Sequence, residues 1–155
     1  MPSPAGHHRP AIPPPPALFA LGGVLGGGLQ FFIPWFMLPR SLPWIGIGAL
    51  MLAILVSLWA ILTMSRAGTS VKPGQAATAL VENGPFAFSR NPIYLSMVIA
   101  SLGVALLVNS VWLVLSLIPT LVVISYAVII PEERHLTREF GHVYLRYQRR
   151  VRRWL

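Results

Sequence analysis

Four apolar runs without a single charge divide the chain: Ala17 to Leu38, Leu42 to Ser65, Pro92 to Val108 and Val111 to Ile130. Each approaches or exceeds the roughly 20 apolar residues that cross about 30 Å of hydrocarbon as a helix. The pattern predicts an all-α integral membrane bundle of about four transmembrane helices. Residues 1–16 form a Pro-rich tail expected to be extended. Residues 17–155 are expected to form one domain.

Polar and helix-breaking residues set the boundaries. Pro34 is expected to kink the end of the first helix, and Pro39-Arg40-Ser41 to turn the chain into the second. The segment from Arg66 to Asn91 is too polar and too broken by Gly and Pro to span. Asn91-Pro92 reads as an N-cap followed by proline at the first helical position. Asn109-Ser110 is a two-residue turn, so the third and fourth runs are expected to be antiparallel neighbours. Pro119 lies inside the fourth run, and Pro131 is expected to end or bend it. From Glu132 to Leu155, Leu136, Phe140, Val143 and Tyr147 recur at three- and four-residue steps with arginines between them. That is one amphipathic helix suited to a membrane interface or to a lid over a site there. In the first run, Gly22/Gly26 and Gly23/Gly27 are small-xxx-small pairs that let another helix approach closely, and a homodimer through this helix is a further expectation.

Composition agrees with lipid as the main solvent. Only 10% of the 155 residues are charged and 55% are hydrophobic, whereas a water-soluble domain carries about 25% charged residues. The net charge of +8 does not point to nucleic acid, because the basic residues flank the apolar runs, where they meet membrane lipid head groups. With an even number of crossings, eleven of the twelve basic residues share one side with both termini, and only Arg40 lies on the other. The shared side is therefore expected to be cytoplasmic, in a bacterial inner membrane. All four acids lie there too. There is no cysteine, which excludes disulfides and thiolate chemistry, and none of the four histidines has a metal-ligand spacing. No metal site is expected.

Chemistry must then lie at the cytoplasmic face. The hairpin of the third and fourth runs is expected to bring Arg90, Asn91 and Tyr94 beside Glu132 and Glu133. Such a mixed-charge pocket at a helix N-terminus suits a small zwitterion: Arg90 and free N–H groups for a carboxylate, a glutamate for an ammonium or a ribose diol. Taken singly, these residues also read as lipid anchors and helix-end charges.

The stretches GTSVKPGQAATALVENGPFAFSRNPIYLSM and PEERHLTREFGHVYLRYQRRVRRW strongly resemble the isoprenylcysteine carboxyl methyltransferase family and its phospholipid N-methyltransferase relatives, over residues 68–155. The shared motifs are a Gly-Pro-Phe turn, an Arg-His/Asn-Pro-x-Tyr segment, and Glu-Glu-x-x-Leu followed by Phe-Gly-x-x-Tyr. The resemblance implies an S-adenosylmethionine-dependent methyltransferase whose cofactor lies at the cytoplasmic interface under the C-terminal segment. It implies that Arg90, Asn91, Pro92, Tyr94, Glu132 and Glu133 line the cofactor pocket, with Leu80, Val81 and Gly84 around the adenine. Tyr144 and Tyr147 would close the lid, and Arg90 and Glu133 would carry catalysis. Eukaryotic members have His where this chain has Asn91, and this chain lacks the helices that shape their prenyl site. The acceptor is expected to be a lipophilic small molecule entering between helices: a prenylcysteine-like carboxylate, a lipid amine or a thiol. A non-catalytic packing protein and a related membrane reductase are the competing readings.

Overall fold

The computed structural model describes residues 13–38, 43–69 and 79–155. Most of the Pro-rich tail, the turn at 39–41 and part of the 66–91 segment lie outside them. The described chain is helical: α1 (Pro15–Phe32), α2 (Pro43–Arg66), α3 (Pro92–Val108), α4 (Val111–Ile124), α5 (Ile130–Phe140) and α6 (His142–Arg150), with a short 3-10 turn at Gly84–Ala87 before α3. α1, α2 and the continuous stretch Val111–Phe140 are long and apolar enough to cross a membrane, while α3 is apolar and slightly shorter. The large apolar side chains face outward: Phe31 and Trp44 are both 81% exposed. Water would penalise such a surface heavily. The protein is an integral membrane protein.

Since lipid tails are as apolar as leucine, the bundle must be held by close packing rather than by hydrophobic burial. Two glycine contacts allow it. α2 packs mainly on α3 and α1 on α4. A Cβ on Gly46 would lie 2.8 Å from the Gly103 carbonyl oxygen, and one on Gly103 would lie 3.0 Å from that of Gly46. Gly22 and Gly26 are buried against α4, where a Cβ on Gly26 would lie 2.9 Å from the Trp112 carbonyl oxygen. Gly23 and Gly27 would meet nothing within 4 Å. Of the two glycine pairs in α1, one is thus used inside the chain. The Gly46/Gly103 contact was invisible as a pair in sequence, because its members lie on different helices.

Several expected boundaries shift. α1 begins at Pro15, two residues inside the expected tail, with proline at its first turn, where the missing N–H costs nothing. It ends at Phe32, so Pro34 lies beyond the helix rather than kinking it. The segment after it wraps the α3–α4 turn. Val111 donates its N–H to the Trp35 carbonyl, Trp112 Nε1 donates to the Ile33 carbonyl, and the Asn109 side chain bonds both the N–H and the carbonyl of Leu38. Asn109 adopts the left-handed conformation (φ 54°) that this tight reversal requires and asparagine tolerates. The hairpin is as expected.

Pro131 neither ends nor sharply breaks the fourth run. A wide π-helical turn over Ser125–Ile129 precedes it, in which Ile130 N–H reaches back to the Ser125 carbonyl, and the helix continues as α5. Proline lacks the N–H that would bond four residues back and collides with that carbonyl. Widening the preceding turn accommodates both defects. The tail is likewise not one helix. Gly141, at φ 51° and ψ −125°, separates α5 from α6. Only glycine adopts that backbone without strain, so α6 can fold back over the end of the hairpin.

Candidate functional site

The site is built where the start of α3 meets the end of the α4–α5 helix. The Gly-Pro-Phe turn comes first. Gly84 has φ +58°, and a Cβ there would lie 2.9 Å from Thr63 Oγ1 on α2, so this position needs glycine for both conformation and space. Pro85 is buried, and the 3-10 turn delivers Ser89, Arg90 and Asn91 to the first turn of α3.

Asn91 is the N-cap residue by position, yet its side chain does not cap the helix. Its backbone N–H donates to Ser89 Oγ at 3.1 Å, and its side-chain amide donates to the Arg153 carbonyl at 2.9 Å. The Arg90 N–H donates to the Arg152 carbonyl at 3.0 Å. The last residues thus form a strap clipped to the start of α3 by backbone and amide bonds.

Glu133 is the electrostatic centre. Its Oε1 lies 2.9 Å from Arg90 Nη1, and it receives two hydrogen bonds from Arg153, Nε to Oε1 at 2.9 Å and Nη2 to Oε2 at 2.7 Å. The second pair is bidentate, the strongest geometry a guanidinium and a carboxylate can make. It holds the Arg153 pKa above its ordinary value. Arg90 and Glu133 side chains are each only 12% exposed. The Arg90–Glu133 contact has the distance of an ion pair but not the direction of a hydrogen bond, and among the described residues the buried Arg90 Nε and Nη1 have no hydrogen-bond partner. Buried guanidinium N–H groups without acceptors are costly, so the site has unused capacity for an anion.

Glu132 sits one residue away and faces α3. Tyr94 Oη donates to it at 3.1–3.2 Å. Among the described residues Glu132 makes no ion pair. Tyr94 is buried together with Ile124, Val128 and Ile129. The hairpin therefore does what its sequence predicts: Arg90 and Tyr94 from one end meet Glu133 and Glu132 from the other.

α6 covers this end. Tyr144 and Tyr147 are 2% and 3% exposed and pack with Val151, Leu80, Leu136 and Phe140. Tyr147 Oη donates to the Phe86 carbonyl at 2.7 Å, and burial pushes the Tyr147 phenol up, so it stays neutral. Leu80 belongs to this apolar layer, Val81 is buried next to it in the chain, and Gly84 opens the Gly-Pro-Phe turn. Arg150 pairs with Glu82 at 2.6 Å on the surface. Tyr147→Phe is expected to cost about 1 kcal/mol of stability, as a lost hydrogen bond between neutral groups does. A thermal melt in detergent checks this.

The expected site residues Arg90, Asn91, Pro92, Tyr94, Glu132 and Glu133 are thus gathered at one place. Leu80, Tyr144 and Tyr147 form the adjoining cover, and Val81 is buried without being part of that cluster. The sequence reading missed Arg153 and Ser89. Arg153 looked like one more basic anchor in an arginine-rich tail, and nothing in its spacing distinguished it from Arg149 or Arg152.

Beside Glu133 and Arg153 an open cleft of about 560 Å³ is lined also by Ile130, Arg134, Thr137, Arg138 and Gln148. That size suits a small-molecule ligand, for which sites of roughly 300–1,000 Å³ are usual. Its donor set is rich in guanidinium with one shared carboxylate. These residues, with Arg90 paired to Glu133 behind them, fit a zwitterionic, hydroxylated small molecule. Among the described residues no group of His, Asp and Glu could hold a metal ion.

A family model described as phospholipid methyltransferase matches residues 42–143. Among solved structures, the eukaryotic intramembrane Ras methyltransferase, isoprenylcysteine carboxyl methyltransferase, matches with a TM-score of 0.64 and 24% identity over 88% of this chain. The match covers 50% of that protein, so the chain spans half its length. The likeness at this identity is one of fold. No curated protein matches the sequence.

Proposed function

This chain belongs to the phospholipid methyltransferase family, and we propose that it moves a methyl group from S-adenosylmethionine to a lipophilic acceptor at the cytoplasmic face of a bacterial inner membrane. One observation carries the reading: both ends of the α3–α4 hairpin place charged groups in contact at a single end of the bundle, Arg90 at 2.9 Å from Glu133 and Tyr94 at 3.1 Å from Glu132. The side assignment is supported by the eleven-to-one distribution of basic residues.

When bound, the cofactor would supply an electrophilic methyl on a sulfonium, and the protein's task is to position the partners and exclude water. Arg90, whose Nη1 pairs with Glu133 while its buried Nε makes no hydrogen bond among the described residues, suits the cofactor carboxylate. Glu133, which lines the cleft, suits its ammonium or ribose. Arg153 holds Glu133 in orientation from the strap, and Tyr144 and Tyr147 keep water from that end. Of the two site carboxylates, Glu133 makes ion pairs and Glu132 makes none among the described residues. Fixed by the Tyr94 hydroxyl and facing the membrane bundle, it suits an amine acceptor, whose proton it would take. A carboxylate acceptor would need no such base.

Purified protein in detergent should give saturable heat with S-adenosylmethionine and with its demethylated product. A titration flat for both would overturn the reading, and heat with a nicotinamide nucleotide instead would favour a reductase. Glu132→Gln separates the two carboxylates. It should leave cofactor binding intact and lower turnover of a lipid amine by about 10²–10⁴-fold, the range of general acid–base catalysis. Loss of cofactor binding in this variant would move Glu132 to the cofactor.

A further inference from the structure

The helical stretch from Val111 to Phe140 is longer than the membrane it crosses. Its 30 residues rise about 45 Å, against about 30 Å of hydrocarbon. Val111 marks the far boundary, because Trp112 packs edge-on against Trp35 there, with ring centroids 5.5 Å apart, and tryptophan gathers at the interface. The surplus of about 15 Å, about ten residues, therefore falls at the other end. α5 stands in the head-group layer, with Ile130 at the edge of the hydrocarbon.

The cleft of about 560 Å³ opens on that stretch. Ile130 gives it an apolar foot, and Arg134, Arg138 and Arg153 give it three guanidinium groups against the single carboxylate of Glu133. Glu133 is already answered by Arg90 and Arg153. Arg134 and Arg138 are exposed, one helical turn apart, and make no ion pair among the described residues. Glu139, the exposed acid on α5, does not line the cleft. A zwitterion at the Glu133 end leaves this balance unchanged. The proposed cofactor, with a sulfonium and an ammonium for one carboxylate, makes it more positive. The outer arginines call for a separate anion, and at head-group depth the abundant anion is a lipid phosphate.

We infer that Arg134 and Arg138 bind the phosphate of an anionic phospholipid in the outer half of the cleft, with its acyl chains passing Ile130 into the bilayer. Two guanidinium forks match the paired oxygens of a phosphate. This lipid is a bound partner and not the methyl acceptor, whose proposed base, Glu132, bonds to Tyr94 on α3 and does not line the cleft. It tethers the helix that carries Glu133. The inference goes beyond the methyltransferase reading and stands without it.

Native mass spectrometry of the full chain, released from mixed micelles with equal phosphatidylglycerol and phosphatidylcholine, reads the bound lipid. Phosphatidylglycerol has no amine to methylate, so its binding is scored apart from catalysis. The wild type should retain phosphatidylglycerol in preference to phosphatidylcholine. Arg134→Gln/Arg138→Gln should bind it at least about tenfold more weakly. Arg146→Gln/Arg149→Gln removes the same charge from exposed positions on α6 outside the cleft. It should change affinity less than about twofold at physiological salt, where distant charges are screened. Arg134→Lys/Arg138→Lys keeps the charge, loses the forks and should fall in between. This lysine pair carries the test should the glutamine pair fail to fold. Equal retention of both lipids, equal loss in the two glutamine pairs, or displacement of the lipid by the same concentration of inorganic phosphate would overturn the proposal. Calorimetry of the same preparations with S-adenosylmethionine reads the enzyme assignment separately. A wild type that holds phosphatidylglycerol but takes up no cofactor refutes the methyltransferase reading alone. Cofactor binding lost in Arg134→Gln/Arg138→Gln with lipid retained would give these arginines to the cofactor and overturn the lipid site.

Discussion

Glu133→Ala is expected to abolish binding of S-adenosylmethionine and to lower the melting temperature of the purified protein. Glu133 answers two guanidinium groups, Arg90 at 2.9 Å and Arg153 through a bidentate pair. Arg90 is only 12% exposed, and among the described residues its buried Nε already lacks an acceptor. Removing the carboxylate leaves a buried cation uncompensated, a change that costs on the order of 3 kcal/mol. Arg153, more exposed, loses less because water can screen it. Glu133→Gln keeps the shape and one acceptor but not the charge. It should recover part of the stability and little of the binding, with affinity at least about a hundredfold below wild type. Calorimetric titration and a thermal melt of both variants test this. Wild-type affinity in both would remove Glu133 from the site.

The second large effect is expected in the membrane. In Gly26→Leu, the new Cβ would lie 2.9 Å from the Trp112 carbonyl oxygen and 3.1 Å from Leu113 Cα. These are backbone atoms at the start of α4, so no side chain can swing away to relieve the contact. α1 would have to leave α4, and with it would go the far-end lock in which Ser110 Oγ donates to the Gln30 side chain at 2.8 Å. Close packing is the main force joining helices in lipid, so a loss of about 3 kcal/mol or more is expected, at the upper end of overpacking effects. The variant should aggregate or melt well below wild type in size-exclusion and thermal assays. Gly27→Leu, one residue on, meets nothing within 4 Å and should change stability by less than about 0.5 kcal/mol. Equal behaviour of the two variants would refute the α1–α4 packing.

Much of this arrangement is legible in the residues. Apolar runs alone give the helices, because in hydrocarbon a chain must satisfy its own backbone hydrogen bonds. The two-residue turn at Asn109-Ser110 dictates which ends meet, and hence that Arg90 and Tyr94 approach Glu133 and Glu132. What stays hidden depends on atoms distant in sequence. Arg153 gains its role only because the strap returns to Asn91 and Arg90. Gly46 and Gly103 matter only as partners of each other. The break at Gly141 was masked by an amphipathic periodicity that runs smoothly through it, since hydrophobic spacing reports which face is buried and not whether the backbone stays helical. Pro131 pointed to a disruption correctly, but the disruption is absorbed one turn earlier.

The wide turn at Ser125–Ile129 has a bearing on how the polar end is aimed. An α-helix advances about 100° of azimuth per residue, so one additional residue within a turn rotates everything after it by roughly that angle. The neighbouring carboxylates Glu132 and Glu133 differ in heading by that angle in any helix; the wide turn rotates the two together, so that one meets the tyrosine on α3 and the other the arginines. An uncharged stretch of the helix thus serves as the pointing device for the charged residues that follow it.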